Sequence, residues 1–222
     1  MAVVAYTEEV TRGLKDGSEG FQKSHRLIRG DILYEERQFS SSVFLLEAGL
    51  IKLTRALDDQ RQAVLRVVRP GELFGDRLLS AGPQRESTAE ALCQSVVYEI
   101  PREEFQAQFE KMPGLWEWVT QQLESRLEDV ERRIQLVSFY RVEQRVLLLL
   151  ADLAEVSLNR DARAMSGATI PLAQSEIAQL VGATRETVCT TLNVLERRGL
   201  LRLGRKYVVV ESAEHLRQAA AA

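Results

Sequence analysis

The residues best suited to chemistry in this chain lie in one short stretch, GATRETVCTTL, residues 182–192. Wound as an α-helix at about 100° per residue, this stretch and its continuation place Arg185, Glu186, Cys189, Thr190, Asn193 and Arg197 within an arc of about 140°. Val188, Leu192 and Leu195 fall on the other face. The polar face mixes long donors and acceptors with short side chains, so another surface can approach it closely. An arginine can donate two bonds to guanine O6 and N7, and a glutamate can accept from a cytosine amino group. Reading base edges is therefore one use for such a face. The plainer alternative is the solvated side of an ordinary surface helix, and the flanking sequence decides between them.

Upstream, LAQSEIAQLVGA (172–183) carries an apolar stripe of Ile177, Leu180 and Val181, followed by Gly182 as a helix terminator. Thr184 is placed to cap the next helix. Two short helices around a glycine-containing turn make a helix-turn-helix. Downstream, LLRLGRKYVVV (200–210) reads as a β-hairpin around Gly204, Arg205 and Lys206. The pattern predicts a winged helix-turn-helix, with the basic wing tip of Arg205 and Lys206 positioned to touch a phosphate backbone. Charge agrees locally. The whole chain is net −3, yet residues 183–206 hold six basic residues against Glu186 and Glu196. From Arg141 onward, 11 Lys and Arg face 9 Asp and Glu, a net +2, so the remainder carries −5. The acidic balance belongs to the N-terminal part.

A chain of 222 residues suits two domains of ordinary size. Cys93 and Cys189 form neither a metal motif nor a disulfide framework. The first residues, MAVVAYTEEV, lack an apolar signal segment, and the longest apolar run, 146–150, is far short of a membrane span. These features predict a cytoplasmic protein with no membrane partner and no bound metal. With two histidines, no Walker loop and no paired-carboxylate site, catalysis is not expected.

The first 110 residues read as all-β, with strands in 43–57, 63–70 and 95–100 and turns at Gly30, Gly49 and Gly71. Cys93 is assigned to a strand and its core. A small antiparallel barrel or jelly roll fits this pattern. From Pro113 the period changes. Trp116, Val119, Leu123, Leu127, Val130, Ile134 and Val137 recur at helical steps, with one four-residue stutter between Leu123 and Leu127. The alternatives are a helix packed on its own β domain, as its Trp116 end is expected to be, and a coiled-coil seam between two copies. Charged flanks such as Glu124, Arg126, Glu131, Arg132 and Arg133 favour the seam. A dimer would present two reading helices to two half-sites. The chain is thus expected to be α+β, with a β-roll at 1–112, a dimerisation helix at 113–140 and a winged helix-turn-helix at 141–222.

A β-roll with three glycine turns, a long helix and a winged helix-turn-helix, in that order, resembles the Crp–Fnr family of bacterial transcription regulators. The most specific stretches are RPGELFGDRLLSAGPQREST and SEIAQLVGATRETVCTTLNVLERRGLL, within a match that spans 21–210. The resemblance implies a homodimeric regulator that binds palindromic duplex DNA and is modulated through its β-roll. It also implies that Arg185, Glu186 and Thr190 stand at the bases and Thr184, Arg205 and Lys206 at the DNA backbone. Where cyclic-AMP-receptor-like members carry a further arginine, this chain has Thr190, which puts the half-site in doubt. RNA polymerase is the implied partner if the protein activates, through the loop at 159–167.

The resemblance also marks a candidate effector pocket of Gly75, Asp76, Arg77, Arg85 and Glu86. Members that bind cyclic nucleotides have Phe-Gly-Glu followed about ten residues on by Arg-Ser or Arg-Ala. Gly75 and Arg85 match. Asp76 is a methylene shorter than the glutamate, and Glu86 sets a carboxylate beside the arginine. On the dimer helix, Val130-Glu131 stands where the cyclic-AMP-binding member offers Thr-Ser. These three departures argue against cyclic AMP. They leave either another anionic effector or a structural salt bridge of Arg85 with a nearby acid. No cysteine precedes Cys93, which excludes the N-terminal iron–sulfur cluster of oxygen-sensing members. His25 and His215, read as exposed polar residues, lie away from where a haem ligand is expected. Cys189 is either a small packing residue or a redox-sensitive position whose oxidation would block groove entry. A module acting through protein partners, with the winged helix used for protein contacts, is the alternative to DNA binding.

Overall fold

The computed structural model describes residues 23–58, 62–75, 84–112, 114–158 and 167–221. The chain divides into two compact units, Met1–Glu128 and Asp129–Ala222, and the division falls inside the longest helix.

Among its described residues the first unit is built on eight strands: β1 (Lys23–Leu27), β2 (Ile32–Tyr34), β3 (Ser42–Ala48), β4 (Ile51–Ala56), β5 (Gln62–Val68), β6 (Leu73–Phe74), β7 (Thr88–Ala91) and β8 (Ser95–Pro101). They form two antiparallel four-stranded sheets with orders β1-β8-β3-β6 and β2-β7-β4-β5. The turns at Gly30, Gly49 and Gly71 all occur at positive φ. Strand β3 explains the architecture. Its SVFLL run is buried on both faces rather than alternating with polar residues. Phe44 and Leu46 join Tyr34, Ile51, Val68, Phe74 and Val97 in one apolar core. Val43 and Leu45 join a second core beneath the helices.

Those helices are α1 (Arg102–Lys111) and the start of α2 (Gly114–Phe139). Helix α1 corrects the all-β reading of the first 110 residues. Its REEFQAQFEK carries Phe105 and Phe109 four apart, so both face the sheet with Leu115, Trp118 and Val119. Val119 is therefore not a seam residue. It is 1% exposed in the β-roll core, whereas Trp116 is 54% exposed and meets Phe109 in a tilted ring contact at 4.2 Å between centroids. With Val119 removed and the exposed Thr120 in its place, Trp116, Thr120, Leu123, Leu127, Val130, Ile134 and Val137 alternate steps of four and three without a stutter. Cys93 lies half-buried in the turn before β8, not in a strand.

The second unit contains the end of α2, then α3 (Val142–Leu158), β9 (Ala168–Ile170), α4 (Gln174–Val181), α5 (Arg185–Arg197), β10 (Arg202–Gly204), β11 (Tyr207–Val210) and α6 (Ala213–Ala221). Helix α3 is its apolar spine, burying Val146, Leu147, Leu150, Ala151, Leu153 and Ala154. The hairpin β10-β11 gains a third strand, β9, in antiparallel pairing of Val208 with Ile170.

Candidate nucleic-acid interface

Helix α4 starts with the Glu176 carboxylate accepting from the Ala173 backbone N–H at 2.7 Å. It ends at Gly182, which adopts the left-handed conformation (φ 64°, ψ 50°) and turns the chain toward α5. Thr184 caps α5 as its side chain accepts from the Thr187 N–H at 3.2 Å. Val188, Leu192 and Leu195 are fully buried, so the helix is fixed by its apolar face. Arg185, Glu186, Thr190, Asn193 and Arg197 are exposed on the other, and Cys189 is half-buried among them.

Short local bonds order this polar face. The Thr190 hydroxyl donates to the Glu186 carbonyl at 3.0 Å, Asn193 Nδ2 donates to Cys189 Sγ at 3.7 Å, and Arg197 Nε donates to the Asn193 carbonyl at 3.3 Å. Because Thr190 uses its one hydrogen within the helix, it offers outward an acceptor oxygen and a methyl group. The wing is tied to the same helix, since the Leu203 N–H donates to Glu196 Oε1 at 2.7 Å. Arg205 and Lys206 occupy the hairpin tip, and Lys206 holds a positive φ of 66°. Two of the six basic residues counted in the sequence are paired, Arg198 with Glu143 at 2.5 Å and Arg202 with Glu211 at 3.4 Å. Sequence inspection does not reveal those pairs, because each partner lies outside the motif.

In the β-roll, the structure brings Gly75 and Arg85 together. Arg85 is 4% exposed and its Nη1 donates to the Gly75 carbonyl. Its guanidinium carbon lies 4.5 Å from the Tyr34 ring centroid and 5.0 Å from that of Phe44. Phe44 in turn meets Tyr34 and Phe74 at 5.4 and 5.5 Å. Glu86 points elsewhere, with Arg55 Nε donating to its carbonyl at 2.8 Å and Arg55 Nη2 to its carboxylate at 3.3 Å. Asp76 and Arg77 lie outside the described residues, as do 159–166 of the loop assigned to polymerase contact. Phe74 neighbours Gly75 in the quoted motif, but nothing in the sequence pointed to Tyr34 or Arg55.

His25 is not simply exposed. Its Nε2 lies 2.8 Å from Glu99 Oε2, and Ser42 donates to Glu99 Oε1 at 2.7 Å. Burial opposes ionisation of Glu99, but the bonds from Ser42 and His25 and the nearby charges of His25 and Lys23 outweigh it and hold its carboxyl below the ordinary value. Among the described residues, no group of three or more His, Cys, Asp or Glu could hold a metal ion. Among those residues, too, no helix is long and apolar enough to cross a membrane.

An antiparallel β-roll, a long helix with an exposed apolar stripe and a winged helix-turn-helix define a class of DNA-binding regulators. Residues 24–112 match the model of the cyclic nucleotide-binding domain, and residues 144–219 match that of the Crp-like helix-turn-helix domain. The transcriptional regulator SdrP of Thermus thermophilus is 31% identical over 157 residues, covering 70% of this chain and 72% of that protein. A CRP-like cAMP-activated global transcriptional regulator of Mycobacterium tuberculosis is 29% identical over 189 residues, covering 85% of this chain and 84% of that one. A solved structure of a CRP-family transcriptional regulator from T. thermophilus shares 25% identity at a TM-score of 0.73, covering 89% and 97% of the two chains. The chain belongs to the Crp–Fnr family of transcription regulators, whose members bind DNA and act as dimers.

Proposed function

We propose that two copies of the chain associate along Leu123, Leu127, Val130, Ile134 and Val137 and bind a palindromic duplex through two copies of α5. The supporting observation is the face of α5. Arg185 and Glu186 stand exposed in the first turn of a helix anchored by fully buried Val188, Leu192 and Leu195. Arg185 donates to a guanine, Glu186 accepts from the amino group of a paired or adjacent base, and Thr190 presents its methyl and acceptor to a neighbouring position. Thr184, Arg205 and Lys206 meet phosphates and set register without reading sequence.

The β-roll modulates this binding, and its effector is not cyclic AMP. Arg85 already gives one of its N–H donors to the Gly75 carbonyl and lies over the Tyr34 and Phe44 rings, and Glu86 adds a carboxylate beside it in sequence. The protein acts in the cytoplasm without catalysis of its own, and it contacts RNA polymerase where it activates. The test is selection from a random duplex library. A palindromic winner bound with steep salt dependence supports the reading. Enrichment of non-palindromic sequences, or salt-independent binding, overturns it.

A further inference from the structure

Residues 129–139 of α2 belong to the same compact unit as the reading helix and the wing. Contacts from Arg132, Arg133 and Val137 hold them there, and Arg145 of α3 joins the same helix end. Arg133 Nη2 donates to the Gln179 carbonyl at 2.9 Å. Arg145 Nη1, from α3, donates to the Val181 carbonyl at 2.8 Å. Arg132 pairs with Asp152 at 3.0 Å, and Asp152 is also held by Arg217 at 3.1 Å. Val137 Cγ2 lies 3.4 Å from where a Cβ on Gly182 would stand, so the two are close neighbours.

Two guanidinium groups from different helices thus converge on the last turn of α4. The carbonyls there lack donors within their own helix and carry the negative end of its dipole. Desolvation draws Arg133 below the ordinary arginine value, so its lost water is replaced by the Gln179 carbonyl. Just beyond, Gly182 turns the chain and Thr184 opens α5. The same α2 segment carries the exposed Val130 and Ile134. A short series of contacts therefore runs from the proposed dimer seam through Arg133 to the end of α4 and on to Arg185.

In a dimer two such paths fix the separation and angular offset of the two α5 helices. Adding one base pair between half-sites moves them apart by about 3.4 Å and rotates them by about 35°. We propose that Arg133 and Arg145 are positioning residues that set the half-site spacing this dimer accepts, acting through the end of α4 and without touching DNA. The proposal rests on the reading that paired α5 helices recognise a palindrome.

The experiment uses full-length dimer and the palindrome obtained by selection. Fluorescence anisotropy measures binding to duplexes whose half-sites are constant and whose spacer is shortened by one base pair, unchanged, or lengthened by one or two. An isolated half-site duplex and its single-base variants measure base reading separately. Wild type is expected to lose about tenfold in affinity for each base pair off the preferred spacing. Arg133→Ala with Arg145→Ala flattens that preference to within about threefold while the base preference at the half-site persists. Arg133→Gln alone, which keeps a donor but no charge, shows the same trend more weakly and covers the case in which the double variant fails to fold. An unchanged spacing profile overturns the proposal. So does simultaneous loss of half-site base preference, since the two arginines would then only hold the α4–α5 fold. If wild type selects no palindrome at all, the underlying reading falls and this proposal falls with it.

Discussion

Arg85 donates from Nη1 to the carbonyl of Gly75, joining the two residues that match a nucleotide-phosphate cradle to each other. The charge a phosphate would need already lies against the Tyr34 and Phe44 rings. Calorimetry with cyclic AMP should accordingly show no saturable binding at micromolar ligand. Arg85→Ala should instead destabilise the β-roll by about 1–3 kcal/mol, from the lost carbonyl bond and ring contacts. A tight isotherm for wild type, abolished by that substitution, would contradict both expectations.

The faces of α2 separate self-association from folding. Val130→Asp with Ile134→Asp places charge where the side chains are 55% and 62% exposed in the single chain, and should yield folded monomers with much weaker DNA binding. Val119→Ala should lower the melting temperature, at a cost of about 2 kcal/mol from the cavity, with little effect on dimerisation. Sedimentation and thermal unfolding of the two variants distinguish these outcomes. Monomeric wild type at micromolar concentration would contradict the seam.

At the reading helix, Arg185→Ala should cost about 1–3 kcal/mol per half-site and relax preference at one base pair. Removing the charges of Arg205 and Lys206 should weaken binding to all sequences alike and flatten its salt dependence. Repeating the library selection with each variant checks both. An unchanged preference with Arg185→Ala would assign base reading to other residues.

Glu99 makes the β-roll acid-sensitive. Its folded-state pKa lies below the ordinary 4.5, so its ionised form adds stability that is complete above that value. That stability is lost as the pH falls through the lower, folded-state value. Unfolding followed between about pH 5 and pH 3 should show a shallower decline for Glu99→Gln than for wild type. Ser42→Ala should lie between them, because it removes the 2.7 Å donor. Parallel curves for all three proteins would show that this carboxylate carries none of the acid sensitivity.

The sequence made α5 and the wing readable because their signals are local. Thr184 and Gly182 mark helix ends through their own backbone preferences, and Val188, Leu192 and Leu195 recur with one period. Helix α1 was not readable in the same way. It follows Pro101 directly, with no side-chain cap, and its apolar face is only Phe105 and Phe109. Strands β1 and β7, KSHRL and TAEA, are short and largely polar or small, so they depend on pairing with β8 and β4. Val119 fell on the wrong face because steps of three and four from Trp116 both fit a helix. Only the β-roll core, which needs long-range packing to exist, separates Val119 from Thr120. Arg85 and Tyr34 are 51 positions apart, and no local pattern could join them.

Tyr207 lays its ring so close over Gly204 that an added Cβ would fall 2.1 Å from a ring carbon. This bears on how a mutational scan of the wing would read. Scored by promoter output, Gly204 should appear as intolerant as Arg205, although of the two the arginine is the proposed DNA contact. Scored by cellular abundance, the two part company: Gly204 stays intolerant and Arg205 becomes permissive. Lys206 should behave in a third way. At φ 66° it occupies a conformation that glycine adopts at little cost, so Lys206→Gly should raise abundance while lowering promoter output. At that codon, selection for a durable fold and selection for occupancy of the operator pull in opposite directions.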